Sequence, residues 1–183
     1  MIDGNSMLRL MSTRQSDRKY LSRPVEKEKL ERILEAGRIS PSACNGQPWK
    51  FIVIDNDEMR EKVAMAASAK MLNMNTFVEQ APLMIVIVRQ KSNLSSRTGD
   101  LVKRRDYSII DIGIATASMV YQATAEGLGS CIVGWFDERK IQDLLKIPKS
   151  KKVEIILTIG YADNSKRTKI RKPPSEVISY NKY

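Results

Sequence analysis

The apolar positions of the chain switch between helical and strand periods, and the switches divide it into elements. Residues 5 to 12 carry Met7, Leu8, Leu10 and Met11, the spacing of a short opening helix. A second helix is predicted over VEKEKLERILEAG, just after Pro24, where Leu30, Ile33 and Leu34 share a face and Gly37 supplies the stop. A loop containing Pro41, Gly46 and Pro48 then leads through Trp49 into FIVI, residues 51 to 54, which reads as a buried strand. From Asp57 the string DEMREKVAMAASAKML returns to helical character. APLMIVIV, residues 81 to 88, is the clearest central strand, with Pro82 tolerable only at its start.

Residues 90 to 105 are polar, Ser-rich and basic, the composition of a loop. The following DYSIIDIGIATASMVYQATAEGLG is apolar over most of its circumference, which predicts a core helix closing at Gly127 or Gly129. SCIVGWFD reads as a strand, Asp137 as the N-cap of the helix ERKIQDLLK, and VEIILTIGYA as the last strand. Loosely alternating helices and strands, with no repeat or internal boundary, predict one α+β or layered α/β sheet domain. The last 20 or so residues lack a periodic apolar face yet carry Val177, Ile178, Tyr180 and Tyr183. They are disordered or lie on another surface, for which a partner subunit is one candidate.

Composition narrows the chemistry. At 183 residues the chain is long enough to bury a core without staples. No apolar run reaches the roughly 20 residues that span a bilayer, and the first residues lack the apolar centre of a secretory signal, so the expected location is cytoplasmic. Two widely separated cysteines, Cys44 and Cys131, suggest buried thiols rather than a disulfide or zinc site. Histidine is absent, which removes Ser-His-Asp and Cys-His catalysis, the usual zinc sites and the commonest base at neutral pH. A net charge of +10 would draw nucleic acid, an acidic surface or a phosphorylated small molecule.

Three constellations carry candidate chemistry. In RQSDR an extended backbone would place Arg14, Ser16 and Arg18 in one row of donors suited to a phosphate, although an Arg/Ser-rich surface turn accounts for the same string. In PSACNGQPW, two prolines stiffen a loop whose Gly46 permits unusual backbone angles. Ser42, Asn45 and Gln47 could hydrogen-bond the edge of a planar ring; an ordinary helix-to-strand turn with Trp49 in the core reads equally well. In the tail, Lys169 and Arg171 alternate within a cluster including Lys166, Arg167 and Lys172, a pattern that solvated charge or RNA affinity also explains.

The order of these blocks, RQSDRKY, then ILEAGRISPSACNGQPWKFIVI, then LGSCIVGWFD, then KIRKPPSEVI, resembles the nitroreductase family of FMN-dependent oxidoreductases over nearly the whole chain. GLGS is followed by a strand rather than a helix and does not meet the dinucleotide fingerprint.

The resemblance implies an α/β/α sandwich around a mixed, mainly antiparallel sheet. Residues 1 to 160 would form a single FMN-binding domain, with 161 to 183 an extension wrapping the partner of a homodimer. It implies that Arg14, Ser16, Arg18, Lys169 and Arg171 hold the FMN phosphate and ribityl chain. Pro41, Ser42, Ala43, Asn45 and Gln47, from the second subunit, would rim the ring. Val133, Gly134 and Trp135 would bring a backbone N–H toward flavin N5, and Lys70 would sit near N1 and O2. No catalytic side chain is then needed: NADH or NADPH reduces FMN, and an electron-poor acceptor such as a nitroaromatic or quinone is reduced in turn, by a ping-pong mechanism. Helical insertions over the flavin look reduced, leaving residues 90 to 105, with Arg97, Lys103, Arg104 and Arg105, as a lid. The alternatives are a flavin-binding protein without turnover and a basic nucleic-acid-binding module.

Overall fold

The computed structural model describes residues 3–68, 74–91 and 106–183. Helix α1 (Gly4–Thr13) is capped by Asp3, and α2 (Lys27–Arg38) follows; β1 (Trp49–Ile54) precedes α3 (Asp57–Ala67), which Asn56 caps. A 3-10 turn (Thr76–Gln80) enters β2 (Leu83–Arg89). After α4 (Tyr107–Ala125) come β3 (Gly129–Val133), α5 (Glu138–Leu144), β4 (Lys152–Gly160) and the short α6 (Pro174–Val177). Asp137 caps α5 as expected, accepting from the Lys140 N–H at 3.0 Å.

The strands form one sheet in the order β1-β2-β4-β3, antiparallel throughout. A parallel bridge between Ser16 and Ser130 is what makes the pairing mixed. The sheet is the middle of three layers. Alternation along β2 sends Leu83, Ile85 and Ile87 toward α2 and α4, and Met84, Val86 and Val88 toward α3 and α5. In β4 a bulge opposite Ile87 and Val88 shifts the phase, so that Val153 and Ile156 join the face toward α3 and α5 while Leu157 and Ile159 line the other. β2 and β4 are therefore covered on two sides, and β1 and β3 are the edges. Among the described residues no helix is long and apolar enough to cross a membrane.

Two expectations about helices need correction. Gly37 does not stop α2; it lies buried within the helix, where a Cβ would stand 2.8 Å from Met119 and 2.9 Å from Phe51, so glycine lets α2 approach α4 and β1 closely. Helix α4 is not enclosed on all sides. Its buried stripe runs through Ile112, Ala115, Met119 and Ala123, but Ile109, Ile110 and Ile114 remain exposed, as do Met7 and Leu8 on the adjoining α1. The apolar circumference anticipates a surface that this chain alone does not cover. The helix predicted through residue 72 ends at Ala67, and its remainder falls largely outside the described residues, as does most of the 90–105 loop.

Away from β3's leading edge, a polar network ties the start of α2 to the end of α4. The Tyr161 hydroxyl donates to Glu26 (2.7 Å) and accepts from Lys29 Nζ (3.0 Å), while Arg23 lies 4.0 Å over the Tyr161 ring. Lys29 also donates to the Glu126 carbonyl, and Arg32 grips the Glu126 carboxylate through two nitrogens at 2.7 Å. The Tyr161 hydrogen bond is the main reason the Glu26 carboxyl falls to about 2 from an ordinary 4.5. Arg32 does the same for Glu126, also to about 2. Both are depressed in the folded state, so their stabilisation is present in full above pH 4.5 and is lost as pH falls toward 2. The thermal midpoint, followed by circular dichroism, should drop across that window. Glu126→Gln should melt lower than wild type at pH 7 and converge with it in acid.

Candidate functional site

Helix α1 ends where Arg14 turns extended (φ −61°, ψ 130°), and the chain then runs beside edge strand β3. Ser16 pairs with Ser130, and the Asp17 N–H donates to the Ser130 carbonyl at 3.0 Å. The approach is close because residue 129 is glycine: a Cβ there would stand 2.7 Å from the Asp17 carboxylate. Extended geometry then alternates side chains. Asp17 turns inward and is buried, Arg14 and Ser16 are half-buried, and Arg18 is exposed with its guanidinium 5.9 Å from the Phe77 ring centre. The extended backbone on which the RQSDR row depends is present.

The C-terminal segment is fastened to this row by its own polar groups. Gln15 is the hub. Its amide donates to Asp17 Oδ1 at 2.8 Å and to the Ser165 carbonyl at 3.3 Å, and its oxygen accepts from the Arg167 N–H at 3.0 Å. Arg167 Nη2 donates to the Ser16 carbonyl at 2.6 Å, and Lys169 Nζ to the Met11 carbonyl at 2.7 Å. Lys169 and Arg171 are thereby carried to Arg14. Partial desolvation, followed by the positive charges of Arg171 and Arg14, lowers the Lys169 ammonium from its ordinary value. Among the described residues none of these three cations forms an ion pair with a carboxylate, and Arg14 Nε is buried without a hydrogen-bond partner. Like charges gathered this way would attract an anion.

Beneath the row lies Cys131, a buried thiol raised above its ordinary value by desolvation, against the pull of Arg18, the Ser16 hydroxyl and Arg14. Farther along β3, Val133 is buried, while Gly134 and Trp135 are exposed at the strand's end. Asn75 Nδ2 donates to the Trp135 carbonyl at 3.0 Å. A Cβ on Gly134 would meet nothing within 4 Å, so the backbone is open to a ligand there. The structure thus brings together Arg14, Ser16, Arg18, Lys169 and Arg171 beside one edge strand, with Val133, Gly134 and Trp135 closing that strand.

The loop of residues 41–47 lies elsewhere, at the entrance to β1 on the opposite edge. Its geometry corrects one expectation. Gly46 sits in ordinary right-handed space (φ −69°), and the left-handed conformations fall on Cys44 (φ 50°), Asn45 (φ 51°) and Gln47 (φ 44°). Local hydrogen bonds hold them: the Gln47 N–H donates to Ser42 Oγ at 3.0 Å, and the Gln47 amide to Asn45 Oδ1 at 3.0 Å. The Ala43 N–H donates to Asp111 Oδ1 at 3.1 Å. Trp49 stacks on Phe51 with ring centres 6.3 Å apart and packs on the core facing α4, so it supports the loop from behind.

Both loop and strand end lie at one end of the sheet, since Trp49 is level with Arg89 and Lys152 while Val133 pairs with Ile156. Two strands stand between them, however, and three interstrand spacings amount to about 14 Å. Lys70 lies outside the described residues. Sequence reading missed Gln15, Asp17 and Asp111, and named Arg167 only as a member of the basic tail cluster. The first two are the intervening positions of the donor row, and Asp111 is a single carboxylate within an otherwise apolar stretch of helix, each a usable signal in hindsight.

These features define a three-layered α+β protein with a cluster of cations beside one sheet edge and a hydrogen-bonded polar loop at the other. The chain matches the model of the nitroreductase family over residues 11–76 and 68–161. It is 34% identical to a nitroreductase family protein from Clostridium difficile 630, covering 95% of this chain and 97% of that one with a TM-score of 0.81. It is 29% identical to an FMN-dependent nitroreductase from Clostridium difficile R20291, covering 95% and 98% with a TM-score of 0.77. Among curated proteins, an FMN reductase [NAD(P)H] from Bacillus subtilis is 24% identical over 98% of this chain and 75% of its own length. The chain belongs to the nitroreductase family, a family of oxidoreductases.

Gly129→Ala should separate the donor row from β3, at a cost of roughly 1–3 kcal/mol. Urea unfolding measures this as a lower midpoint at unchanged slope.

Proposed function

We propose that this protein is a cytoplasmic, homodimeric, FMN-dependent oxidoreductase. It takes hydride from NADH or NADPH and passes the electrons to an electron-poor acceptor, a nitroaromatic or a quinone, in ping-pong fashion. The observation that carries the reading is the cluster of Arg14, Lys169 and Arg171, with the orphaned Arg14 Nε, in the segments that the family resemblance assigns to the phosphate. A phosphate would satisfy that nitrogen and neutralise charges that now repel one another. The relatives named above as FMN-dependent and as an FMN reductase support the same cofactor.

In this reading Arg14, Ser16, Arg18, Lys169 and Arg171 hold the phosphate and ribityl chain. The exposed backbone at Gly134 and Trp135 faces the ring. Bound FMN supplies the two-electron chemistry that a chain without histidine lacks, and the protein supplies position, charge and an open face. The donor row fixes register, because its backbone is held by β3 on one side and by Arg167 on the other. No side chain is assigned as an indispensable acid or base.

The separation of the two halves of the site supports a homodimer. Pro41, Ser42, Ala43, Asn45 and Gln47 stand at the β1 edge, so they rim a ring bound at β3 only when supplied by a second copy. The exposed Ile109, Ile110 and Ile114 of α4, with Met7 and Leu8 of α1, supply an apolar surface for that copy. Exposed Val177, Ile178, Tyr180 and Tyr183 suit a C-terminal extension that wraps it.

The purified chain should show a flavin spectrum that bleaches anaerobically with NADH or NADPH and recovers on adding a quinone or nitroaromatic. A colourless chain that takes up no added FMN would overturn the reading. Replacing Arg14 and Arg171 together by alanine should abolish FMN retention on gel filtration; a double variant with stoichiometric flavin would sink the phosphate assignment. Ile110→Glu should convert a dimer to a monomer in sedimentation at micromolar concentration, with loss of bound flavin.

A further inference from the structure

We infer that Asp111 is a positioning residue for the flavin-facing loop, an inference that rests on the cofactor reading above. Asp111 lies in the first half of α4 among Ile109, Ile110, Ile112 and Ile114, and only 3% of it is exposed. A carboxylate at such a place is expensive, and an apolar residue would suit the helix better. One oxygen, Oδ2, is buried with no hydrogen-bond partner among the described residues, so the group is not held there by a complete polar network of its own. The other, Oδ1, accepts from the backbone N–H of Ala43 at 3.1 Å.

That amide opens the 3-10 turn Ala43–Asn45, which is followed by a further left-handed residue at Gln47. Each non-glycine residue held left-handed carries strain that something in the fold must offset. The hydrogen bonds of Ser42, Asn45 and Gln47 are made within the loop and fix its shape, but they do not fix its place on the molecule. The Asp111 bond joins that preformed shape to α4, the longest helix of the fold. Ser42 and Asn45 present donors and acceptors to a ring only as accurately as this attachment places them. The acceptor oxygen is the part that matters: asparagine retains it, and alanine does not.

Amide exchange of the flavin-free chain, read over residues 40–48, tests the attachment without reference to a cofactor. Titration with FMN and with riboflavin then tests its consequence. Asp111→Ala should exchange faster at 42–47 and bind both flavins about tenfold more weakly, because a ring-end defect is blind to the phosphate. Arg14→Ala, by contrast, should weaken FMN and leave riboflavin unchanged. Asp111→Asn should behave as wild type in exchange, in affinity and in the visible band of the bound flavin. Unchanged exchange in Asp111→Ala, unchanged flavin affinity despite faster exchange, or an Asp111→Asn variant as defective as alanine would each overturn the inference. Should Asp111→Ala not fold, Asp111→Ser, too short to reach Ala43, makes the same comparison. A wild-type chain that binds neither flavin overturns the cofactor reading, and the exchange measurement separates that failure from failure of the attachment.

Discussion

The sheet is buried on both faces, and that constraint organises everything else. With β2 and β4 enclosed between two helical layers, their side chains are committed to packing, as the all-apolar course of Leu83 to Val88 shows. Polar chemistry is left the edges and ends of the sheet. Edge strands also carry unpaired backbone groups that must be satisfied or covered. Here the edge of β3 is paired by the segment from Ser16 to Asp17, and that one act of edge protection also lays out the donor row.

The row and the C-terminal segment are mutually dependent. Gln15 and the backbone carbonyls of Met11 and Ser16 hold Arg167 and Lys169, while those residues hold the row against β3. Residues more than 150 positions apart in sequence therefore form one unit. Its outward product is a set of close positive charges, which is costly to assemble for folding alone and becomes favourable once an anion is present. In the proposed function, a phosphate would relieve the repulsion among Arg14, Lys169 and Arg171.

Much of this was legible in the sequence because it depends on local spacing. The continuous apolar run of β2, the cap Asp137, and the alternation of Arg14, Ser16 and Arg18 all follow from local sequence. What escaped depends on contacts between distant segments. Gly37 looked like a helix stop because glycine usually is one, and only the nearness of Met119 and Phe51 gives it another task. Gly46 looked like the flexible point of its loop, yet the unusual angles fall on Cys44, Asn45 and Gln47, where side-chain hydrogen bonds offset the strain. The exposed flank of α4 was hidden in plain composition, since an apolar circumference does not say whether its cover comes from the same chain.

A site divided between opposite edges of the sheet has a thermodynamic consequence. In the proposed dimer, ligand affinity and subunit association are linked: whatever binds across both copies stabilises the dimer over its separated chains, and dilution weakens the ligand. The two halves also differ in kind. The cationic row makes long-range contacts to charge, which tolerate small displacements, whereas the loop makes short contacts whose value falls steeply with distance. The charged half can therefore be built partly on exposed cations such as Arg171, but the loop cannot. Its two prolines, its internal hydrogen bonds and its attachment to the longest helix are the rigidity that the short-range half of a shared site requires.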